Sequence, residues 1–188
     1  MSKGTGSRKG SAFERKVSKE LSLWWSEGAD PDVFWRSQCS GGRATVRNVG
    51  QFGDIAAVSP VGAPLLAITT IELKCGYKLW SPFDAVDGAC GTLDAFLEQV
   101  WRDQKSAMVP YFWLIFKRNR RETCLLCPLI FYKAYYWTEF GKFESSARLN
   151  HRKPGKRFPS KYAIVRLDEF FKKCHPKKLK DAHVGIVE

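Results

Sequence analysis

Two carboxylates and a lysine lie in this chain where they can act together. In Ile71-Glu72-Leu73-Lys74, strand alternation turns Glu72 and Lys74 to one face, and Ile71, Leu73 and Cys75 to the other. The run follows the apolar residues Pro64-Leu65-Leu66-Ala67-Ile68. In such surroundings a carboxylate and an ammonium are costly unless paired or bound to something. A second acid, Asp54, ends a loop and precedes another strand-like run, Ile55-Ala56-Ala57-Val58. With Asp54 and Glu72 on neighbouring strands and Lys74 beside them, the chain would offer a hard-oxygen site for Mg²⁺ next to a cation. That combination suits phosphodiester chemistry.

These residues need elements to position them. Phe13, Val17, Leu21 and Trp24 recur at helical spacing, which predicts a helix over 11–27 closed by Gly28. Ser11 with Glu14 three residues on has the form of a capping box. Strands are expected at 32–37, 52–58 and 65–75, the last two joined by a turn at 59–64. A helix over 93–108 carries a stripe of Leu93, Phe96, Leu97, Val100, Trp101, Ala107 and Met108. Gln104 is the polar member of that stripe and needs partners there. Strands at 111–116 and 123–127 flank the basic turn Lys117-Arg118-Asn119-Arg120-Arg121. The aromatic stretch 131–137 is compatible with helix or strand, and 141–160 reads as a basic linker. A strand at 161–166 and a short helix at 167–174, with Asp168 and Glu169 near its positive end, complete the pattern. The order predicts an α/β fold, a mixed central β-sheet flanked by helices.

At 188 residues the chain suits one domain with a real core: residues 1–10 read as a flexible basic arm and 11–188 as a single domain. The formal net charge of +12 points to a polyanionic partner. Its distribution is sharper than its size. Residues 141–180 hold 13 Lys/Arg against 3 Asp/Glu, and residues 1–20 hold 6 against 2, so a near-neutral body is flanked by basic segments. No apolar run is long enough to span a bilayer, and the N-terminus lacks the apolar stretch of a secretory signal. A cytoplasmic protein with reduced thiols is expected. Cys124-Leu125-Leu126-Cys127 has CxxC spacing, which fits strand packing or a zinc knuckle. The stretch 131–137 fits core packing, a dimer seam or stacking on unpaired bases.

The ordered set Glu14, Asp54, Glu72, Lys74 and Gln104 resembles the PD-(D/E)XK nuclease superfamily, with its restriction-endonuclease-like core. Asp54 stands for the motif Asp and Glu72-Leu73-Lys74 for ExK; Gly53 replaces the usual Pro. More closely, the chain is similar to the archaeal-type Holliday-junction resolvase branch. The supporting runs are Gly10-Ser11-Ala12-Phe13-Glu14-Arg15, Phe34-Trp35-Arg36-Ser37 followed by Ser40-Gly41, Gly53-Asp54-Ile55-Ala56, and Ile71-Glu72-Leu73-Lys74. Gln104 ahead of Pro110-Tyr111-Phe112-Trp113-Leu114-Ile115-Phe116-Lys117 completes them.

The resemblance implies a role for each residue. Asp54 and Glu72 would ligate Mg²⁺ or Mn²⁺, with Glu14 completing the acidic cluster directly or through water. Lys74 would polarise the attacking water or offset charge on the phosphate. Gln104 would orient water or Lys74. Glu14 alone is also explained by the capping box, and Gln104 by a satisfied core amide. Arg36 and Ser40 match positions near the phosphate, though a strand-end charge and a loop turn-former explain them equally. Arg152, Lys153, Lys156 and Arg157 offer a phosphate-tracking surface. The implied protein is a homodimeric, Mg²⁺-dependent DNA endonuclease acting on branched DNA. A restriction or repair nuclease on the same core, or a catalytically silent nucleic-acid-binding module, are the alternatives.

Overall fold

Long aromatic side chains on one face of a first helix and alternating apolar residues in the strands give this chain two layers to bury against a sheet. The computed structural model describes residues 5–37, 52–76, 91–135, 147–150 and 161–187. Helix α1 (Thr5–Trp25) leads into β1 (Phe34–Arg36), which pairs antiparallel with β2 (Ile55–Ala57). A 3₁₀ turn (Pro60–Gly62) and α2 (Ala63–Ile68) precede β3 (Thr69–Cys75). Then come α3 (Gly91–Ala107), β4 (Tyr111–Lys117), β5 (Thr123–Pro128), α4 (Leu129–Tyr135), β6 (Ala147–Asn150) and β7 (Lys161–Arg166). The chain closes with α5 (Leu167–Lys173) and α6 (Pro176–Val187).

The main sheet has five strands in the order β3-β4-β5-β7-β6. The β3–β4 pair is parallel, with α3 as its crossover, and the other pairs are antiparallel, so the sheet is mixed and flanked by helices. On one face Ile71, Leu73, Trp113, Ile115, Leu125 and Val165 pack with Phe13, Val17, Leu21 and Trp25 of α1 and with Phe131 and Phe170. On the other, Phe112, Leu114, Phe116, Leu126 and Tyr162 receive Leu93, Leu97 and Val100 of α3. Each fully buried ring contributes about 1.5–3 kcal/mol of burial. The indole nitrogens of α1 stay satisfied: Trp24 donates to the Cys174 carbonyl at 2.8 Å and Trp25 to the Val61 carbonyl at 2.7 Å.

Several expectations change. Helix α1 begins at Thr5, so 5–10 belong to it instead of to a free arm, and Ser11 and Glu14 are interior residues with no capping box. Residues 65–68 are helical, with Pro64 in the first turn and Leu65 and Ile68 one turn apart in the core; the third strand starts only at Thr69. The region read as a basic linker contains β6, and α6 extends the chain beyond the last expected helix. Residues 129–135 form a helix whose Phe131 and Tyr132 are buried. These two rings are core, neither an exposed seam nor a base-stacking surface. Cys124 and Cys127, three apart on a strand, point to opposite faces, and Cys127 lies in the core, which removes the zinc reading. The expectations for Ser40, for 77–90 and for Arg152, Lys153, Lys156 and Arg157 lie outside the described residues.

Gly53 explains the missing motif proline. Its φ of +79° is closed to proline and strained for any L side chain, and a Cβ there would sit 2.6 Å from the Ile71 carbonyl oxygen. Gly53→Ala should therefore destabilise the fold by at least about 2 kcal/mol. Urea unfolding with a midpoint unchanged from the natural chain would refute that.

Candidate active site

Asp54 is held by backbone on three sides. Its N–H donates to the Ile71 carbonyl at 2.8 Å and its carbonyl accepts from Ser37 N–H at 2.8 Å. The N–H of Leu73 donates to Asp54 Oδ2 at 2.8 Å. The acid thus sits just before β2, buttoned to β3 at the level of Glu72. The close approach that requires Gly53 is the same one that brings Asp54 here.

Glu72 is buried, 2% exposed, on the sheet face covered by α3. Its Oε1 accepts from Lys74 Nζ, two residues on along the same face, and from Gln99 Nε2 at 2.5 Å. Lys74 Nζ also donates to Gln99 Oε1 at 3.0 Å and lies 5.4 Å from the centre of the Phe96 ring. Gln99 therefore clamps carboxylate and ammonium together from α3. Burial first, and then the charge of Asp54, push Glu72 up to about 8, against the pull of Lys74.

Glu14 reaches the site from α1. Ser22, one member of a buried serine ladder on that helix, accepts the Phe34 N–H at 2.8 Å and docks α1 onto β1. That docking sets Arg36 Nε 3.3 Å from Glu14 Oε2, with Arg36 also donating to Ser11 Oγ at 3.2 Å. Burial and then Asp54 raise the Glu14 carboxyl, while Arg36 and Lys74 lower it. Arg36 is thus an ion-pair partner of the acidic cluster, with about a third of its side chain open to solvent. The structure brings Glu14, Asp54, Glu72, Lys74 and Arg36 together.

It does not bring Gln104. That amide donates to the Val109 and Pro110 carbonyls, at 3.2 and 2.8 Å, and closes the end of α3. The reason is geometric. The centre of the α3 stripe lies over the middle of the sheet, whereas β3 is an edge strand, so the residue that meets β3 comes from the stripe's flank. Gln99 is about 100° round the helix from Val100 and fills that place. Asp103, one turn beyond Gln99, also escapes a reading of the sequence. Its carboxyl is raised by burial, and Asp54 adds to the rise. A polar i, i+4 pair beside an apolar stripe was the available signal.

The residues suit a hydrated divalent cation. Among the described residues no three acid, imidazole or thiol groups converge as a closed metal cage would require. Mg²⁺ does not need one, because it keeps several waters and takes one or two carboxylates together with substrate phosphate. Asp54 and Glu72 would serve as such a pair, and Asp54 raises the cost of charge on its neighbours, a repulsion that a cation would relieve. A groove of about 510 Å³ between α1 and α5, lined by Trp24 and Phe171, contains none of these acids.

A mixed sheet between helices, with an acid before one strand and Glu-x-Lys on the next, is the architecture of a PD-(D/E)XK nuclease. The family described as "Phage putative PDDEXK endonuclease" matches residues 5–181, and the chain belongs to it. No curated protein and no solved structure matches the chain.

The two glutamines separate experimentally. Gln99→Ala should slow DNA cleavage roughly 10- to 100-fold, because it frees the orientation of Glu72 and Lys74. Gln104→Ala should cost about 1 kcal/mol of stability and leave cleavage alone. Equal cleavage rates for the two variants, measured on one labelled duplex, would overturn the assignment of Gln99.

Proposed function

We propose that this protein is a Mg²⁺- or Mn²⁺-dependent DNA endonuclease that acts on branched DNA as a Holliday-junction resolvase. The observation that supports the catalytic part is the clamp in which Gln99 holds Glu72 and Lys74 beside Asp54. Asp54 and Glu72 would hold the metal ion, with Glu14 next to them. When bound, the ion supplies Lewis acidity and lowers the pKa of its water.

The chain's own residues do the rest. Leu73 N–H fixes the Asp54 carboxylate so that its second oxygen is presented in a defined direction. Gln99 and the Phe96 ring hold the Lys74 ammonium near the carboxylates, where it can offset charge developing on a phosphate. Arg36 tempers the acidic cluster through Glu14, which otherwise would repel a polyanion. Ser40 and the set Arg152, Lys153, Lys156 and Arg157 are proposed phosphate contacts along the DNA.

The substrate reading rests on the resemblance to the resolvase branch and on the basic segments at both ends of the sequence. A resolvase cuts two strands symmetrically, so the proposal includes a homodimer with one site per subunit. The chain from the start of α1 onward would act as one nuclease domain in the cytoplasm. No helix among the described residues is long and apolar enough to cross a membrane.

The test compares a labelled four-way junction with linear duplex of the same length and sequence. The junction should bind at least tenfold more tightly, about 1.4 kcal/mol, with paired cuts on opposing strands near the branch point. Equal cleavage of linear duplex by a monomer would reject the resolvase reading and leave the endonuclease in place.

A further inference from the structure

We propose that the turn between β4 and β5, carrying Lys117, Arg118, Arg120 and Arg121, is a docking arm for the backbone of duplex DNA beside the catalytic site. The inference rests on the nuclease reading and adds to it a surface outside the acidic cluster.

Position comes first. Lys74 pairs with Phe116 and Cys75 with Lys117 across the parallel β3–β4 ladder, and the Gly76 N–H donates to the Lys117 carbonyl at 3.0 Å. The turn therefore leaves the sheet at the end where β3 delivers Lys74. At about 3.3 Å per residue, the three residues from Lys117 to Arg120 reach at most roughly 10 Å beyond that level. This is a distance at which neighbouring phosphates of one duplex meet both.

Charge comes second. Among the described residues, Lys117, Arg120 and Arg121 have no acidic partner, and Arg120 and Arg121 are exposed. Lys16 pairs with Glu20, Arg166 with Asp168, Lys173 with Glu169 and Lys180 with Glu27, whereas Lys19, Lys133 and Lys161 are exposed cations with no ion pair among the described residues. What distinguishes the turn is four basic residues within five positions at the Lys74 end of the sheet. Unpaired cations are the ones that gain most from releasing counterions on a phosphate backbone.

Backbone conformation is the third observation, and it is independent of charge. The Arg121 N–H donates to the Arg118 carbonyl at 3.2 Å, so 118–121 is a closed turn with Arg120 in its third position. Arg120 has φ +57°, the left-handed region in which this turn position favours Gly or Asn. Asn119 stands one position too early to take that role. An exposed arginine is therefore held in a conformation that a smaller residue would adopt with less strain.

The experiment uses the full chain with a labelled linear duplex, in chelator so that no strand is cut, and records affinity by anisotropy across a salt series. Arg120→Asn should raise Tm by roughly 2–4 °C, because it relieves the turn. Arg120→Asn combined with Arg121→Gln should reduce the slope of log affinity against log salt by about 1.8, two phosphate contacts. If the curves converge at 1 M salt, affinity at 0.1 M falls roughly 60-fold. A stabilised double variant with unchanged slope and affinity overturns the arm, and so does a variant that loses only self-association. If the unaltered protein binds neither linear duplex nor a four-way junction at low salt, the DNA-directed reading falls with the arm. If it binds and only the double variant is unchanged, the arm alone falls, so the two failures are distinguishable.

Discussion

Asp54→Asn and Glu72→Gln should each slow DNA cleavage roughly 100- to 1000-fold or more, while DNA affinity holds or rises. Both substitutions keep shape. An asparagine side chain in place of Asp54 retains an oxygen for the Leu73 N–H, and a glutamine side chain in place of Glu72 retains one for Gln99, so the clamp geometry survives. What disappears is the negative charge that would hold a divalent cation and, with it, stabilisation of charge in the transition state. Binding moves the other way because a carboxylate facing phosphate is repulsive. Folding does not confuse the result. Burial raises the Glu72 carboxyl, so the neutral amide is not penalised for burial, and a melting temperature measured alongside separates folding from catalysis. Lys74→Ala should abolish turnover as well, but it also leaves Glu72 without its cationic partner, so its melting temperature must be read alongside. Near-normal cleavage by Asp54→Asn would show that the acids do not form the catalytic centre.

Metal removal is the second large effect expected. Cleavage should vanish in chelator and return with Mg²⁺ or Mn²⁺, whereas Ca²⁺ should support binding better than cutting because its coordination is larger and looser. A readout without catalysis accompanies this. Mg²⁺ at 100 times its Kd should stabilise the fold by about 2.7 kcal/mol, and the rise in Tm should be lost in Asp54→Asn. That loss is expected because relief of repulsion between Asp54 and its neighbouring carboxylates is part of what the ion contributes. Full cleavage in chelator would reject the metal mechanism, and a Tm insensitive to Mg²⁺ in both proteins would reject Asp54 and Glu72 as its holders.

The parts of this protein legible in the sequence are those governed by local periodicity. Strand alternation sent Glu72 and Lys74 to one face, and helical spacing identified the core stripe of α1 and, through Leu93, Leu97 and Val100, that of α3, because each pattern depends only on residues a turn or two apart. Met108, expected in the α3 stripe, instead lies past the helix end in a left-handed conformation and is exposed. The strand at 161–166 and the short helix after it were equally plain. Where local preference is balanced, tertiary contacts decided. Leu65-Leu66-Ala67-Ile68 is apolar enough for strand or helix, and Pro64 in the first turn with Leu65 and Ile68 buried selects helix. Helix α1 extends back to Thr5 because a docked helix propagates into flanking residues at little cost once its nucleus is held.

The composition of the site divides along the same line. Asp54, Glu72, Lys74 and Glu14 could be named from residue type and order. Which glutamine joins them could not, because that depends on where α3 crosses the sheet: Gln104 lies at the centre of the stripe, and Gln99 on its flank meets edge strand β3. Nor could Arg36 be seen as the partner of Glu14, a contact made by Ser22 docking β1 onto α1. Residue chemistry and local spacing are properties of the chain itself. The identity of neighbours on different elements is set by packing angles and strand order, which exist only once the layers have assembled.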